Sequence, residues 1–361
     1  MKIDTLLSTP PEWAPDRNST DGVVVGSIVR LVRNLAGHPF PGWSTAEGRA
    51  SVASEVLPAI RSLRGYKTAF CAELSTLSYG QRRTLLSRKQ LTPCMAARQD
   101  GCHIIIPQRR RTLLMVNEEE HIVAHIFLDG LNLAQGIRDM ENLADQLAER
   151  LELAYSPQHG YLTSIPSEAG DGLQLYALLH LPGMVQANMM NQVTKALEKL
   201  HVSISPYYSD TQDDTGHLFV LFSIPGPEDS ITEVHDNFEG ILQHLVCREQ
   251  QVRRKLLADP AQRLHDTIGR AYGLLTHCRR LSMKELRDAI SLLRLATLLH
   301  LLQWEEEERD ILIALNTLLV EQACSAAMAE ETSDPHLCQT RARIVRAFLN
   351  NHPHHFSDTD A

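Results

Sequence analysis

The sequence predicts an α+β fold, a mainly antiparallel sheet flanked by helices, followed by an all-α C-terminal region. Three observations carry that expectation. Short apolar runs occur in pairs joined by polar turns, as in His103–Pro107 with Thr112–Val116 and again across Val202 to Phe222, which is the pattern of antiparallel hairpins. Amphipathic stretches with apolar residues at helical spacing alternate with these runs. The last hundred residues carry helical spacing alone.

The chain of 361 residues is long enough for more than one core. Its apolar fraction of 43% and charged fraction of 22% are those of an ordinary globular protein. A net charge of −9 argues against a general nucleic-acid binder, which would carry a basic stripe. No run of 18 apolar residues is present, so no membrane span is expected. The first residues, MKIDTLLSTPPEWAP, lack the apolar core of a secretory signal. Seven scattered cysteines without a Cys-x-x-Cys pair suit a reducing cytoplasm better than a disulfide framework. No metal site is expected. The histidines of Asn351–Phe356 lie in a polar stretch with no second ligand cluster beside them.

Taken in order, residues 1–21 are rich in Pro and Ser and read as a flexible tail. Gly22–Val25 reads as a short apolar strand followed by a loop that carries Arg30 and Arg33 exposed. Thr45 to Leu63 and Ser75 to Gln90 read as helices. Gln108-Arg109-Arg110-Arg111 makes a basic hairpin tip, a feature that is usually a solvated edge. The second strand of that hairpin ends in Asn117-Glu118-Glu119-Glu120-His121. Clustered carboxylates there can share a proton or hold a cationic substrate, or simply form acidic surface. Gly130 to Tyr155 reads as a long helix. Tyr161–Pro182 reads as two strands around a Gly- and Pro-containing loop. A helix follows at Met189 to Leu200, then the hairpin of Val202 to Phe222 with an acidic turn at 210–214. Asp229 to Asp259 reads as a charged helix broken at Pro260. Ser282-Met283-Lys284-Glu285 is a capping box opening a helix to about Gln303. The carboxylates Glu305–Glu308 suit the first turn of the next helix.

Several of these stretches, quoted residue by residue, resemble the phosphagen kinases, the ATP:guanido phosphotransferases. That family has a signature loop Tyr-Leu-Thr-Ser-Cys-Pro-Thr-Asn-x-Gly-Thr-Gly-x-Arg and then a strand ending in His-Leu-Pro. Tyr161, Leu162, Thr163, Ser164, Pro166, Gly170, Gly172, His180, Leu181 and Pro182 match it in register. Ile165 stands at the reactive Cys and Gln174 at a phosphate-gripping Arg. The family's Ser-Ser-Arg-(Val/Ile)-Arg-Leu-Ala-Arg-Asn-Leu is met by Arg30, Arg33 and Asn34, with Ile28 at its first phosphate arginine. Its Asn-Glu-Glu-Asp-His is met by Asn117–His121. The resemblance then makes Glu119 the carboxylate that pairs with the substrate guanidinium, and places Val123 at another phosphate arginine. A gap-free alignment through Gly216 and Phe219 puts Ser205 at a further arginine and Asp210 at a second substrate carboxylate. A cationic position near the nucleotide falls on Lys89, and the arginines Arg109–Arg111 are the other candidate replacement cations.

The resemblance covers roughly residues 22–302 and extends to the bacterial protein-arginine kinases. Members of that branch carry a C-terminal helical appendage used for dimerisation, and Arg270-Ala271-Tyr272-Gly273-Leu274-Leu275 with Lys284-Glu285 match it. A phosphoarginine-sensing motif of the branch is met only at Arg346-Ala347, so a charged final helix explains those residues better. The implied organisation is a catalytic-type domain over 22–258, a helical dimerisation domain over 259–350 and a polar tail over 351–361.

The implied cofactor is MgATP and the implied reaction is in-line phosphoryl transfer to a guanidinium, for which the protein supplies alignment and positive charge. Four of the family's five phosphate arginines are Ile28, Val123, Gln174 and Ser205 here, and only Arg30 remains. A charge-assisted hydrogen bond contributes about 1.5–3 kcal/mol, so four losses remove on the order of 6–12. Micromolar binding amounts to only about 8 kcal/mol. The expectation is a cytoplasmic, homodimeric pseudokinase of protein quality control and stress response that binds arginine on a protein through Glu119 and Asp210, with Arg30 left as the nucleotide contact. The resemblance also implies a zinc-binding activator protein and a Clp-type ATPase as partners. The alternative is an active protein-arginine kinase with a rebuilt nucleotide site.

Overall fold

The computed structural model describes residues 3, 6, 22–88, 90–107, 111–208, 216–226, 229–321 and 335–357. Its centre is an eight-stranded sheet in the order β2-β3-β4-β5-β1-β8-β10-β9, every pair antiparallel. The strands are β1 (Val24–Arg33), β2 (Phe70–Glu73), β3 (His103–Ile106), β4 (Thr112–Val116), β5 (Ile122–Asp129), β8 (Leu173–His180), β9 (Val202–Pro206) and β10 (Leu218–Ser223). Both expected hairpins form. The whole of Val24–Arg33 is one strand, with Arg33 buried rather than displayed on a loop. Tyr161 does not join this sheet. It belongs to a two-residue ladder of β6 (Tyr155–Ser156) with β7 (Gly160–Tyr161).

Side chains alternate across a strand, so each strand feeds two cores. Val29, Leu114, Ala124, Leu175 and Leu179 pack on one face beneath the helices α1 (Ala46–Ser62), α4 (Leu133–Ala148) and α7 (Ile231–Leu257). Leu113, Met115, Val123, Phe127 and Leu178 face the other way. That second face carries the C-terminal helices α8 (Arg263–His277), α9 (Met283–Leu298), α10 (Glu308–Glu321) and α11 (Pro335–Asn351). The shorter helices are α2 (Tyr79–Ser87), α3 (Pro93–Arg98), α5 (Pro182–Gln186) and α6 (Met190–Leu197). The capping box at Ser282 forms as read: Ser282 Oγ accepts from the Glu285 amide and Glu285 accepts from the Ser282 amide.

Three expectations need correction. The helix from Ser282 stops at Leu298, because His300 adopts a left-handed φ of 53° and Leu302–Trp304 turns into strand β11. That strand pairs with β12 (His354–Phe356), so residues 354–356 of the stretch read as a polar tail are held in a ladder. His354 packs its ring 4.5 Å from Trp304 and meets the Tyr272 hydroxyl at 3.0 Å. At the other end, Leu6 lies in the core and its carbonyl accepts from Arg88, so this position is not a free tail.

A buried polar seam joins the sheet to the C-terminal helices. Ser291 on α9 meets His180 Nε2 and His217 Nδ1, each at 2.7 Å. Arg294 donates to His180 Nδ1 at 2.8 Å, to the Gly22 carbonyl at 2.7 Å and to Asn316 at 2.7 Å. Beside it, Glu249 accepts from the Gly183 and Met184 amides at 2.8 Å each and pairs with Arg253, which donates to the His180 carbonyl. Burial, and for His180 also Arg294 and Arg253, holds both imidazoles below their ordinary pKa, His217 at about 4.

These contacts generate two predictions. Both imidazoles are neutral in the folded protein, whereas the unfolded chain protonates them near pH 6.5. Stability should therefore be full above pH 6.5 and fall as the pH drops below it, by up to about 1.4 kcal/mol per pH unit for each ring. Melting curves between pH 7.5 and 5 check the sign; a Tm that rises on acidification contradicts it. Glu249→Ala should cost about 3–5 kcal/mol, because it leaves Arg253 buried without its partner, and chemical denaturation measures this.

Candidate active site

Pairing register builds the site. Across β5, β1 and β8 one row reads Phe127, Ile28 and Tyr176, and the next reads His125, Arg30 and Gln174. Phe222 of β10 extends the first row beyond Tyr176, and the two rings stack at 5.8 Å. These rows share the sheet face that the C-terminal helices also use. There all of these except Gln174 floor a cavity of about 600 Å³, which Glu119, Val123 and Ser205 also line.

Arg30 and Glu119, the two described candidates, thus meet in one cavity. Among the described residues, Arg30 is the only Lys or Arg in its lining. It is already engaged, donating to Gln174 Oε1 at 2.6 Å and pairing with Glu168 at 3.6 Å. Glu119 is exposed. Burial and the neighbouring Glu118 raise its pKa, against a lowering by Arg30. Glu118 is satisfied locally by the Thr92 hydroxyl at 2.6 Å and the Glu119 amide at 2.6 Å. His125 is held neutral by burial, and then by Arg30, with its pKa pushed down to about 3. Asp210, Lys89, Arg109 and Arg110 lie outside the described residues. Arg111 points elsewhere, to Asp129 at 3.4 Å.

The residue of the acidic cluster that sequence reasoning missed is Glu120. It is buried, accepting from Asn34 Nδ2 at 2.6 Å, the Ser164 amide at 2.8 Å and the Ser164 hydroxyl at 2.6 Å. Asn34 in turn donates to the Leu162 carbonyl and accepts from the His121 amide. Arg33 lies 3.6 Å from the Tyr161 ring and donates to the Asp171 carbonyl at 2.8 Å; burial lowers its pKa to about 10. The motif residues Asn34, Glu120 and Ser164 therefore clasp the signature loop onto the sheet. Gly172, at φ 59°, lies where a Cβ would come within 2.8 Å of the Val32 carbonyl, so the loop can close only on glycine. The sequence signal for the clasp was the match of Asn34 and Ser164, with Glu120 standing where the motif has Asp, and it could be read only once their contacts were known. Ile165, at the reactive-Cys position, is 41% exposed.

MgATP does not fit the described residues of the lining. A polyanionic triphosphate needs several converging cations. Among the described residues this cavity offers one arginine, tied to a carboxylate and an amide, with Glu118, Glu119 and Glu168 around it. Ile28 and Val123 supply hydrocarbon where charge would be required.

An antiparallel sheet flanked by helices, with its cavity beside a clasped Gly-containing loop, defines the phosphagen-kinase fold. Solved structures agree. Lombricine kinase superposes with a TM-score of 0.56 at 19% identity, over 65% of this chain and 68% of that one. The duplicated taurocyamine kinase of Schistosoma mansoni gives 0.59 at 18%, over 79% of this chain and 40% of that one. A family profile for the ATP:guanido phosphotransferase C-terminal catalytic domain matches residues 51–251, and one for the protein-arginine kinase McsB C-terminal domain matches 261–359. A protein-arginine kinase of Desulforamulus reducens is 30% identical over 300 residues, 82% of this chain and 84% of its own. One of Moorella thermoacetica is 26% identical over 348 residues, 95% and 98%. The chain belongs to the protein-arginine kinase family of ATP:guanido phosphotransferases.

The clasp makes a prediction. Glu120→Ala should lower stability by at least about 2 kcal/mol, since it removes charged hydrogen bonds from Asn34 and from the Ser164 amide and hydroxyl. It should also speed amide exchange at Ser164. Unchanged exchange there would mean the loop is held by something other than this carboxylate.

Proposed function

We propose that this protein keeps the protein-arginine kinase fold but has lost, or nearly lost, ATP-dependent arginine phosphorylation, and serves as a regulatory binding protein in protein quality control. The observation that carries this reading is the composition of the cavity. Ile28, Val123 and Ser205 line it without charge, and Arg30 is bound to Glu168 and Gln174. In phosphoryl transfer a single transition-state arginine is worth a factor of about a thousand or more. Glu119, free and facing the cavity, suits an arginine side chain of a protein ligand, with Asp210 as its second carboxylate. The reading includes a homodimer formed through a helical domain at 259–350, a zinc-binding activator and a Clp-type ATPase as partners, and a cytoplasmic setting.

The second reading is an active protein-arginine kinase with a rebuilt nucleotide site. The name shared by the relatives favours it, as does the retained Glu119.

A thermal-shift titration separates the two. A ligand at 100 times its Kd stabilises a fold by about 2.7 kcal/mol, so MgADP or MgATP up to millimolar concentration should produce no shift. Mass spectrometry of a casein-like substrate should find no phosphoarginine. A saturable shift together with phosphoarginine lost in Glu119→Ala would establish the active kinase instead. Restoring arginine at positions 28, 123, 174 and 205 should raise nucleotide affinity by on the order of tenfold per residue.

A further inference from the structure

The cavity is graded as well as poor in cations. Glu118 and Glu119 follow β4, Glu168 precedes β8, and all three approach the end of the sheet where β5 and β8 begin. From that end inward the sheet presents Met115 beside Val123, then the row of His125 and Arg30, then the row of Phe127, Ile28, Tyr176 and Phe222. Leu178 and Val220 follow, level with Gly26 and Ser205. One end is therefore acidic and the other a floor of aromatic and branched aliphatic side chains.

Among the described lining residues three carboxylates stand against one guanidinium, Arg30, which is already paired; Arg98, outside the lining, is bound to the Glu118 carbonyl. Glu119 is the carboxylate with no hydrogen-bond or ion-pair partner among the described residues.

We propose that this cavity binds a small lipophilic ammonium: a single cationic amine, free in solution, carried on an aromatic or branched alkyl body. The ammonium sits among Glu118, Glu119 and Glu168, and the apolar body lies over Ile28, Phe127, Tyr176 and Phe222. Aromatic faces attract a nearby cation, and burial of the body removes hydrocarbon from water. A nucleotide is disfavoured by the same surface. This inference rests on the reading that the phosphate site has been given up, and it names what the vacated surface holds.

Titration calorimetry on the full chain tests it with 4-phenylbutylammonium. Methylammonium supplies the charge without the body, 4-phenylbutanol supplies the body without the charge, and MgADP stands for the ancestral ligand. The expected result is saturable binding of 4-phenylbutylammonium at least about tenfold tighter than either fragment. Ile28→Arg, which puts a cation into the aromatic row, should abolish that binding. Glu119→Gln, an exposed change that the fold tolerates, should weaken it about fivefold or more. Absent binding, equal binding of the uncharged alcohol, or insensitivity to Glu119→Gln overturns the proposal. The two failures are distinguishable. MgADP binding defeats the loss of the nucleotide site and, with it, the amine site that rests on that loss. Failure of both ligands defeats the amine site alone.

Discussion

The architecture of the site depends on one buried carboxylate. Glu120 carries its charge out of water, which is costly unless every lone pair is used. Asn34 and Ser164 use them, and they come from the end of β1 and from the signature loop. The clasp thereby fixes where the loop returns to the sheet, and so where Glu168 meets Arg30. Neighbouring carboxylates in the same short run have different fates. Glu118 is consumed by local hydrogen bonds, Glu119 is left open to the cavity and Glu120 is structural.

Framework positions and phosphate-facing positions carry different kinds of residue in this chain. Positions that hold the loop and seam keep the motif residue or its carboxylate: Arg33, Asn34, His180 and Gly172, with Glu120 in place of Asp, all make contacts that close the fold. Positions whose side chains would face a triphosphate carry Ile, Val, Gln and Ser. Gln174 is the clearest case. Its amide oxygen accepts from Arg30 and from the Tyr176 hydroxyl at 3.0 Å, so it occupies the surviving cation and gives the row an internal hydrogen-bond network.

The helical C-terminal region and the cavity share a face of the sheet, and this gives the seam a wider meaning. His180 ends β8, the strand that carries Gln174 and Tyr176, and it is held from α9 by Ser291 and Arg294. A shift of α9 would be felt at the end of a strand that floors the cavity. The pair Glu249–Arg253 backs the same corner by fixing the turn after His180.

Much of this was legible from sequence. Hairpin pairing, the helices at Ala46–Ser62 and Ile231–Leu257, the capping box at Ser282 and the membership in the family follow from period, punctuation and motif, because each is a local or in-register property. The meeting of Arg30 with Glu119 was implied by the resemblance alone. Other features depended on residues far apart in the chain, and only the tertiary structure decided them. No local pattern distinguishes Glu119 from Glu120, since burial and partners 44 and 86 residues away separate them. The helix ending at Leu298 and the ladder of Leu302–Trp304 with His354–Phe356 need a partner strand about fifty residues on. The graded cavity exists because four strands brought Phe127, Ile28, Tyr176 and Phe222 into one row. The sequence by itself determined which charges were missing; the register of the sheet decided what surface took their place.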